Sequence, residues 1–339
     1  MWRDRNTLQI GIDSRRAVAL TGMAGVAWVI SLLDGSRDRA QVIRAAADHG
    51  IPAETAERVL TLLAAAGALD DFPAGTLRLL PAPLRARLAA ELATASLAHR
   101  DGDGGARTLA RRLAAQVCIH GGGRVGTGIA SLLTTSGVGR VTHADPAREL
   151  AAAPPGAAGH STKPTKPRGT PRSGTPAASK ARPSTKSPGP PRLGVPRPDL
   201  AVLVGRHPLE LRASLMREQI PHLAAAADEA IGIVGPLVIP GRTACLRCMD
   251  LSRADRDPAW PLILAQLGGR EPDPLACDAP LAAAVAAHAA AQSLSFIDRP
   301  SEAGAVANGT LELVLPSWQW RRRTWPPHRD CSCGNQACR

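Results

Sequence analysis

The stretch from Val117 to Asp145, "VCIHGGGRVGTGIASLLTTSGVGRVTHAD", leaves a chain few ways to fold. A short apolar run meets three consecutive glycines, and an amphipathic segment follows them. The pattern predicts a strand over Val117–His120, a tight turn, a helix over Thr127–Ser136 closed by Gly137, and a second strand over Arg140–Ala144. Gly121, Gly123 and Gly126 form a Gly-x-Gly-x-x-Gly turn. In a βαβ unit the first glycine permits the sharp turn, the second admits a phosphate close to the backbone, and the third lets helix pack on strand. The helix N-terminus then presents free N–H groups to an anion. Asp145 ends the second strand, 19 residues after the last glycine, where an acid accepts hydrogen bonds from ribose hydroxyls. Gly121, Gly123, Gly126 and Asp145 are therefore the candidate nucleotide-binding residues. A Rossmann-like scaffold that has lost its ligand carries the same pattern.

Further α/β signals follow. "DLAVLVG", Asp199–Gly205, is a continuous apolar run of the kind found in buried parallel strands. A helix is expected over Leu209–Gln219, strands over Pro221–Ala225 and Ile231–Ile239, and helices over Trp260–Leu267 and Asp278–Ile297. A last strand falls in "TLELVLP". Upstream, Leu8, Ile10 and Ile12 alternate with polar or small residues, which reads as a strand. A turn at Asp13-Ser14-Arg15 leads to a second strand over Arg16–Leu20. Three helices follow: "AGVAWVISLL", a second capped by Ser36, and a third opening at Pro52 and stopped by Gly67. The expected organisation is a small winged-helix-like α+β domain at 1–100 and an α/β Rossmann-like domain at 109–339.

The second domain is interrupted at 154–198 by a segment rich in Pro, Ser, Thr, Gly and basic residues. It has almost no large apolar side chain, so it is expected to be disordered. It bears nine basic residues and no acid, and so accounts for most of the net charge of +12. The remainder is nearly balanced, which argues against nucleic acid as a partner. The helix "AETAERVLTLLAAAG" agrees: its one arginine and two glutamates cannot neutralise phosphates.

Five of the seven cysteines fall in two short windows: Cys245 and Cys248, then Cys331, Cys333 and Cys338. Two separated pairs suit a structural zinc, which takes four soft ligands in a tetrahedron. The candidate ligands are Cys245, Cys248, Cys331 and Cys333, with Cys338 as the alternative fourth. Cys245 does not open a helix after the first strand of a thioredoxin-like unit, so a redox pair fits less well. Cys118 and Cys277 read as buried small hydrophobes, and His328 as solvent-facing. "MWRDRNTLQIGID" lacks the apolar core of a signal peptide, and no uninterrupted apolar run spans a bilayer. A cytoplasmic chain without membrane contact is expected.

These residues carry a resemblance. "VCIHGGGRVGTGIASLLTTSGVGRVTHAD", "IGIVGPLVIPGRTACLRC" and "WPPHRDCSC" resemble, in order, the opening and the two zinc knuckles of the ThiF/MoeB/HesA family, the ubiquitin-activating-enzyme-like adenylating enzymes. "LQIGIDSRRAVALTG", "LLDGSRDRAQVIRAAADHG" and "RVLTLLAAAGALDD" resemble the PqqD-like leader-peptide recognition element. The resemblance implies a ThiF-type fold with structural zinc and ATP as ligand. It further implies a protein of azole or azoline peptide pathways, which binds the leader of a ribosomally made precursor and presents it to a YcaO-type cyclodehydratase. A homodimer is compatible with it.

Departures from the family's pattern bear on the chemistry. Ala147 stands where adenylating members carry a second acid. Their Asn-x-x-Arg-Gln stretch and phosphate-gripping lysine give way to the insert, and Gly205 and Arg206 occupy the place of a Mg²⁺-holding aspartate. Charge developing on a transferred adenylate would be poorly stabilised, so a degenerate site is expected. One alternative is an active adenylyltransferase in which Arg124 or Arg148 replaces the phosphate clamp. Another is an NAD-dependent oxidoreductase, which explains neither cysteine group.

Overall fold

The computed structural model describes residues 1–22, 25–34, 36–71, 81–144, 197–267, 276–301 and 304–333. Asp145, Ala147, Arg148, Cys338 and the insert up to residue 196 lie outside these. All counts below refer to the described residues.

Strands β1 (Thr7–Ile10) and β2 (Val18–Thr21) pair antiparallel, with Leu8 opposite Leu20 and both side chains buried. The first strand stops short of the expected Ile12, which is 86% exposed. Gly11 turns the chain away there with a φ of +87°. The N–H groups of Arg16 and Ala17 then donate back to the Asp13 carbonyl, so β2 begins at Val18 rather than Arg16. Residues at the start of the chain cover the free side of β1. Trp2 bridges Leu8, and the Gln9 N–H donates to the Met1 carbonyl at 2.7 Å. The outer edge of β2 carries no strand.

Helices α1 (Val26–Ser31), α2 (Arg39–Asp48) and α3 (Ala53–Ala65) pack on this hairpin. Their buried stripes supply Val29, Val42, Val59, Leu60 and Leu63, each side chain stabilising by about 1.5–3 kcal/mol relative to exposure. The cap of α2 is Asp38, not Ser36. The Asp38 carboxylate accepts from the Gln41 N–H at 2.8 Å, and the Gln41 side chain accepts from the Asp38 N–H at 2.9 Å. This reciprocal pair satisfies two orphan donors, which a serine two residues earlier cannot reach. Ser36 instead donates to Asp34.

Two helices that the sequence reading did not anticipate join this unit to the sheet. They are α4 (Ala82–His99) and α5 (Ala106–Ala114), packed through Leu88, Leu92 and Leu109.

The large sheet has the order β4-β3-β5-β6-β7-β8-β9. Its parallel part comprises β3 (Gln116–His120), β4 (Arg140–His143), β5 (Leu200–Val204) and β6 (His222–Asp228). The antiparallel part adds β7 (Ile231–Val238), β8 (Gly309–Val314) and β9 (Gln319–Thr324). Strand β9 was not anticipated; its run of arginines lacks an apolar face. Strand alternation sorts the two faces. Leu200 and Val202 meet α6 (Gly123–Thr135) and α10 (Ala279–Asp298). Ala201 and Leu203 meet α7 (Leu209–Arg217) and α8 (Leu246–Ala254), and α9 (Trp260–Leu267) follows α8. By length and composition α10 is apolar enough to cross a membrane. Here it is a core helix, with Leu281, Val285 and Ala289 fully covered.

A buried ion-pair network ties these parts together. Arg112 of α5 donates to both oxygens of Asp298 at the end of α10, at 2.8 and 2.7 Å. It also reaches Glu91 of α4 at 3.2 Å, and His99 lies 3.6 Å from Asp298. Burial disfavours charge on Arg112, but the Asp298 hydrogen bonds and the Asp298 and Glu91 charges outweigh it and raise its pKa.

Candidate functional site

The glycine turn lies at the switch point of the parallel sheet. Strand β3 is flanked by β4 on one side and β5 on the other, so the connections diverge and leave a crevice at the strands' carboxyl ends. Gly121 has a φ of +93°, and a Cβ there would sit 2.3 Å from the Val204 carbonyl oxygen. A Cβ on Gly126 would sit 2.8 Å from the Gly121 carbonyl oxygen. Both positions require glycine. Helix α6 starts four residues before the expected Thr127, so Gly123 and Gly126 belong to its first turn. Around Gly122 and Gly123 an added Cβ would meet nothing within 4 Å, so this cradle is open to a phosphate.

The gripping side chains fit a nucleotide less well. No carboxylate occurs in Gly205–Leu209 after β5. Arg206 is engaged by Asp228 at 3.0 Å. Arg124 donates to the Cys277 carbonyl at 3.2 Å rather than pointing at the cradle. Cys277 and Cys118 are only partly covered, not buried as expected.

Three histidines lie on the other face of the sheet, a feature the sequence reading passed over. His120 ends β3 and His207 follows β5; their rings meet edge-on at 6.5 Å. His222 opens β6 and is fully buried. The run His120-Gly121-Gly122-Gly123 was the available signal for the first of these. Burial, and then the His120 and Arg212 charges, push His207 down to about 4. Burial is also the main cause that pushes His222 down to about 4. Both imidazoles are neutral in the folded state at pH 7, and each protonates on unfolding between its folded value and about 6.5. The unfolded chain thus binds more protons in that window, and stability falls as pH drops from about 6.5 towards 4. Urea denaturation at pH 7 and pH 5 is expected to show this loss, and His222→Leu is expected to reduce it. An identical pH dependence in the variant would remove His222 as a cause.

The second cluster is the cysteine set. Helix α8 opens at Cys245, its N-cap residue, and Cys248 lies in its first turn. Cys331 and Cys333 come from the segment after β9. The Cys245 Sγ lies 3.7 Å from that of Cys248 and 3.6 Å from that of Cys331, and the Cys248–Cys333 separation is 3.7 Å. All four sulfurs fall within 4.8 Å of one another. Thiolates about 2.3 Å from a tetrahedral metal lie about 3.8 Å apart, so the set has the dimensions of a zinc site. The hydrogen bond from Cys245 holds Cys248 down to about 4, and burial pushes Cys331 up to about 12.

His328 contradicts its expected solvent-facing role. It is 8% exposed, its Nε2–H donates to Asp255 at 2.8 Å, and its Nδ1 accepts from the Asp330 N–H at 3.1 Å. Its carbonyl accepts from the Cys331 N–H at 3.0 Å. It therefore buttresses the segment that delivers Cys331 and Cys333 to the cluster.

No family model and no curated protein matches the chain. Solved structures do. Crystalline E. coli MccB with MccA-N7isoASN aligns over 98% of both chains, with a TM-score of 0.53 and 15% identity. The heterocyclase TruD aligns over 97% of this chain and 42% of its own, with a TM-score of 0.59 and 15% identity. A heterocyclase in complex with substrate and cofactor gives a TM-score of 0.61 at 14% identity, over 99% of this chain and 38% of that one. The chain therefore has the fold of MccB along nearly its whole length, and that fold recurs within the longer heterocyclases.

Proposed function

We propose that this chain is a leader-binding scaffold of a ribosomal peptide-modification pathway. It acts in the cytoplasm, holds a precursor leader and presents the peptide to a YcaO-type cyclodehydratase, with zinc in the four-cysteine cluster and a degenerate nucleotide site. The observation that carries the reading is the hairpin edge. Met1–Arg3 cover β1 and leave β2 as the edge where an extended peptide can add a strand. Backbone hydrogen bonds then give affinity, and side-chain contacts with α3 give specificity. The fold shared with MccB, which has been solved with N-formylated MccA, and with the heterocyclase TruD supports it. Fluorescence anisotropy of a labelled precursor leader with the full chain is expected to show saturable binding. Leu62, 43% exposed on α3, is expected to contribute, so that Leu62→Glu weakens binding about tenfold. No saturable binding by the unmodified chain would sink the reading.

A second reading, an active adenylyltransferase, draws on the open cradle at Gly122 and Gly123. Pyrophosphate exchange with the precursor peptide tests it. No exchange is expected, because no carboxylate occurs in Gly205–Leu209 directly after β5 and Arg124 and Arg206 have other partners. A signal that Asp145→Ala abolishes would replace the scaffold reading.

A further inference from the structure

We infer that the surface over Trp325, between the end of α8 and β9, binds an acidic peptide segment that also carries apolar side chains. Trp325 is 1% exposed, and its Nε1–H donates to Thr310 at 3.0 Å. Three guanidiniums cover it. The Cζ atoms of Arg253, Arg323 and Arg256 lie 5.3, 5.5 and 5.7 Å from the ring centroid. An indole has two faces, so at least two of these charges share one. Arg253 is further held over Trp260 at 4.8 Å.

The arginines are not matched by acids among the described residues. Arg323 has Glu312 at 3.5 Å. Arg253 has only Asp250 at 3.9 Å, and Asp250 already binds Arg212 at 3.0 Å and accepts from Trp260. Arg256 makes no ion pair with a described residue, although Asp255 and Asp257 are its neighbours. Asp255 is turned to His328, and Asp257 accepts from the Ala259 N–H. Neither Arg253 nor Arg256 donates a side-chain hydrogen bond to any described residue. Four guanidiniums, with that of Arg212, thus face two carboxylates, and the stacking holds three of them in place. Planar donors fixed at this spacing match carboxylates, to which each can donate two parallel hydrogen bonds.

The apolar part of the partner follows from α9. That helix begins at Trp260, under Arg253, and exposes Leu262 at 65% and Ile263 at 37%. A small anion such as phosphate would use the arginines and leave these side chains in water. A peptide with alternating acidic and apolar residues covers both.

The test uses the zinc-loaded full chain and a fluorescein-labelled peptide of repeated Glu-Leu units, with a Gln-Leu peptide as control. Saturable binding that weakens with salt is expected for the first and not the second. Arg256→Glu is expected to weaken it about tenfold, and Leu262→Ser measurably, while Arg44→Glu, an equal charge change on α2, leaves it unchanged. Arg256 is exposed and makes no ion pair with a described residue, and zinc content and the thermal midpoint check that its replacement leaves the fold intact. Equal losses in Arg256→Glu and Arg44→Glu, no loss in Arg256→Glu or Leu262→Ser, or displacement by inorganic phosphate at matched ionic strength would each overturn the inference. The site lies outside the β1–β2 unit, so this outcome is separable from leader binding.

Discussion

Cys248→Ser is expected to abolish stoichiometric zinc and to lower the thermal midpoint by about 10 °C or more. Cys248 is fully buried between Cys245 and Cys333, and a buried hydroxyl is a poor fourth ligand beside three thiols. A structural zinc stabilises by several kcal/mol, and each kcal/mol moves the midpoint of a domain this size by about 2–4 °C. The loss should centre on the segment after β9, which the cysteines fasten to α8. Metal quantification by mass spectrometry, with thermal unfolding followed by fluorescence, measures both quantities. Cys277→Ser, at a partly covered position away from the cluster, should retain full zinc. Equal zinc in the two variants would refute the assignment.

Asp298→Ala is expected to be the most damaging single change outside the cysteines. Its carboxylate is 3% exposed and receives both arms of Arg112. Removing it leaves a buried guanidinium with Glu91, at 3.2 Å, as its remaining acid. Breaking a buried pair from one side costs about 3–5 kcal/mol. Chemical denaturation should report that loss, and Arg112→Met with Asp298→Leu should recover much of it, because a matched apolar pair leaves no orphaned charge. If the double replacement is as unstable as Asp298→Ala, the cost lies in packing and not in charge.

The readable part of this fold is the part written in short-range patterns. Glycines at 121 and 126 mark a turn because backbone oxygens lie where their side chains would be. The run at Leu200–Val204 reads as a strand because both of its faces are covered. The two cysteine windows were legible from spacing, which left Cys333 and Cys338 open as the fourth ligand; the fold brings Cys333 to the other three. What escaped depends on distant partners. Helix α4 has a weak stripe and packs chiefly on α5, so its apolar residues make sense only once Leu109 is in place. Strand β9 is a row of arginines whose pairing with β8 comes from register, not from hydrophobicity. His328 looked like a surface residue because nothing local announces Asp255, 73 residues earlier in the chain.

Helix α10 has a mechanical consequence. Its 20 residues span about 30 Å as one rigid rod. At one end, Arg124 of the glycine-turn helix is fastened to Cys277, just before the rod begins. At the other, Asp298 grips the helices that carry the β1–β2 unit. The same helix therefore spans the distance from the glycine turn to the hairpin unit, and any displacement of that unit relative to the sheet strains the buried Arg112–Asp298 pair.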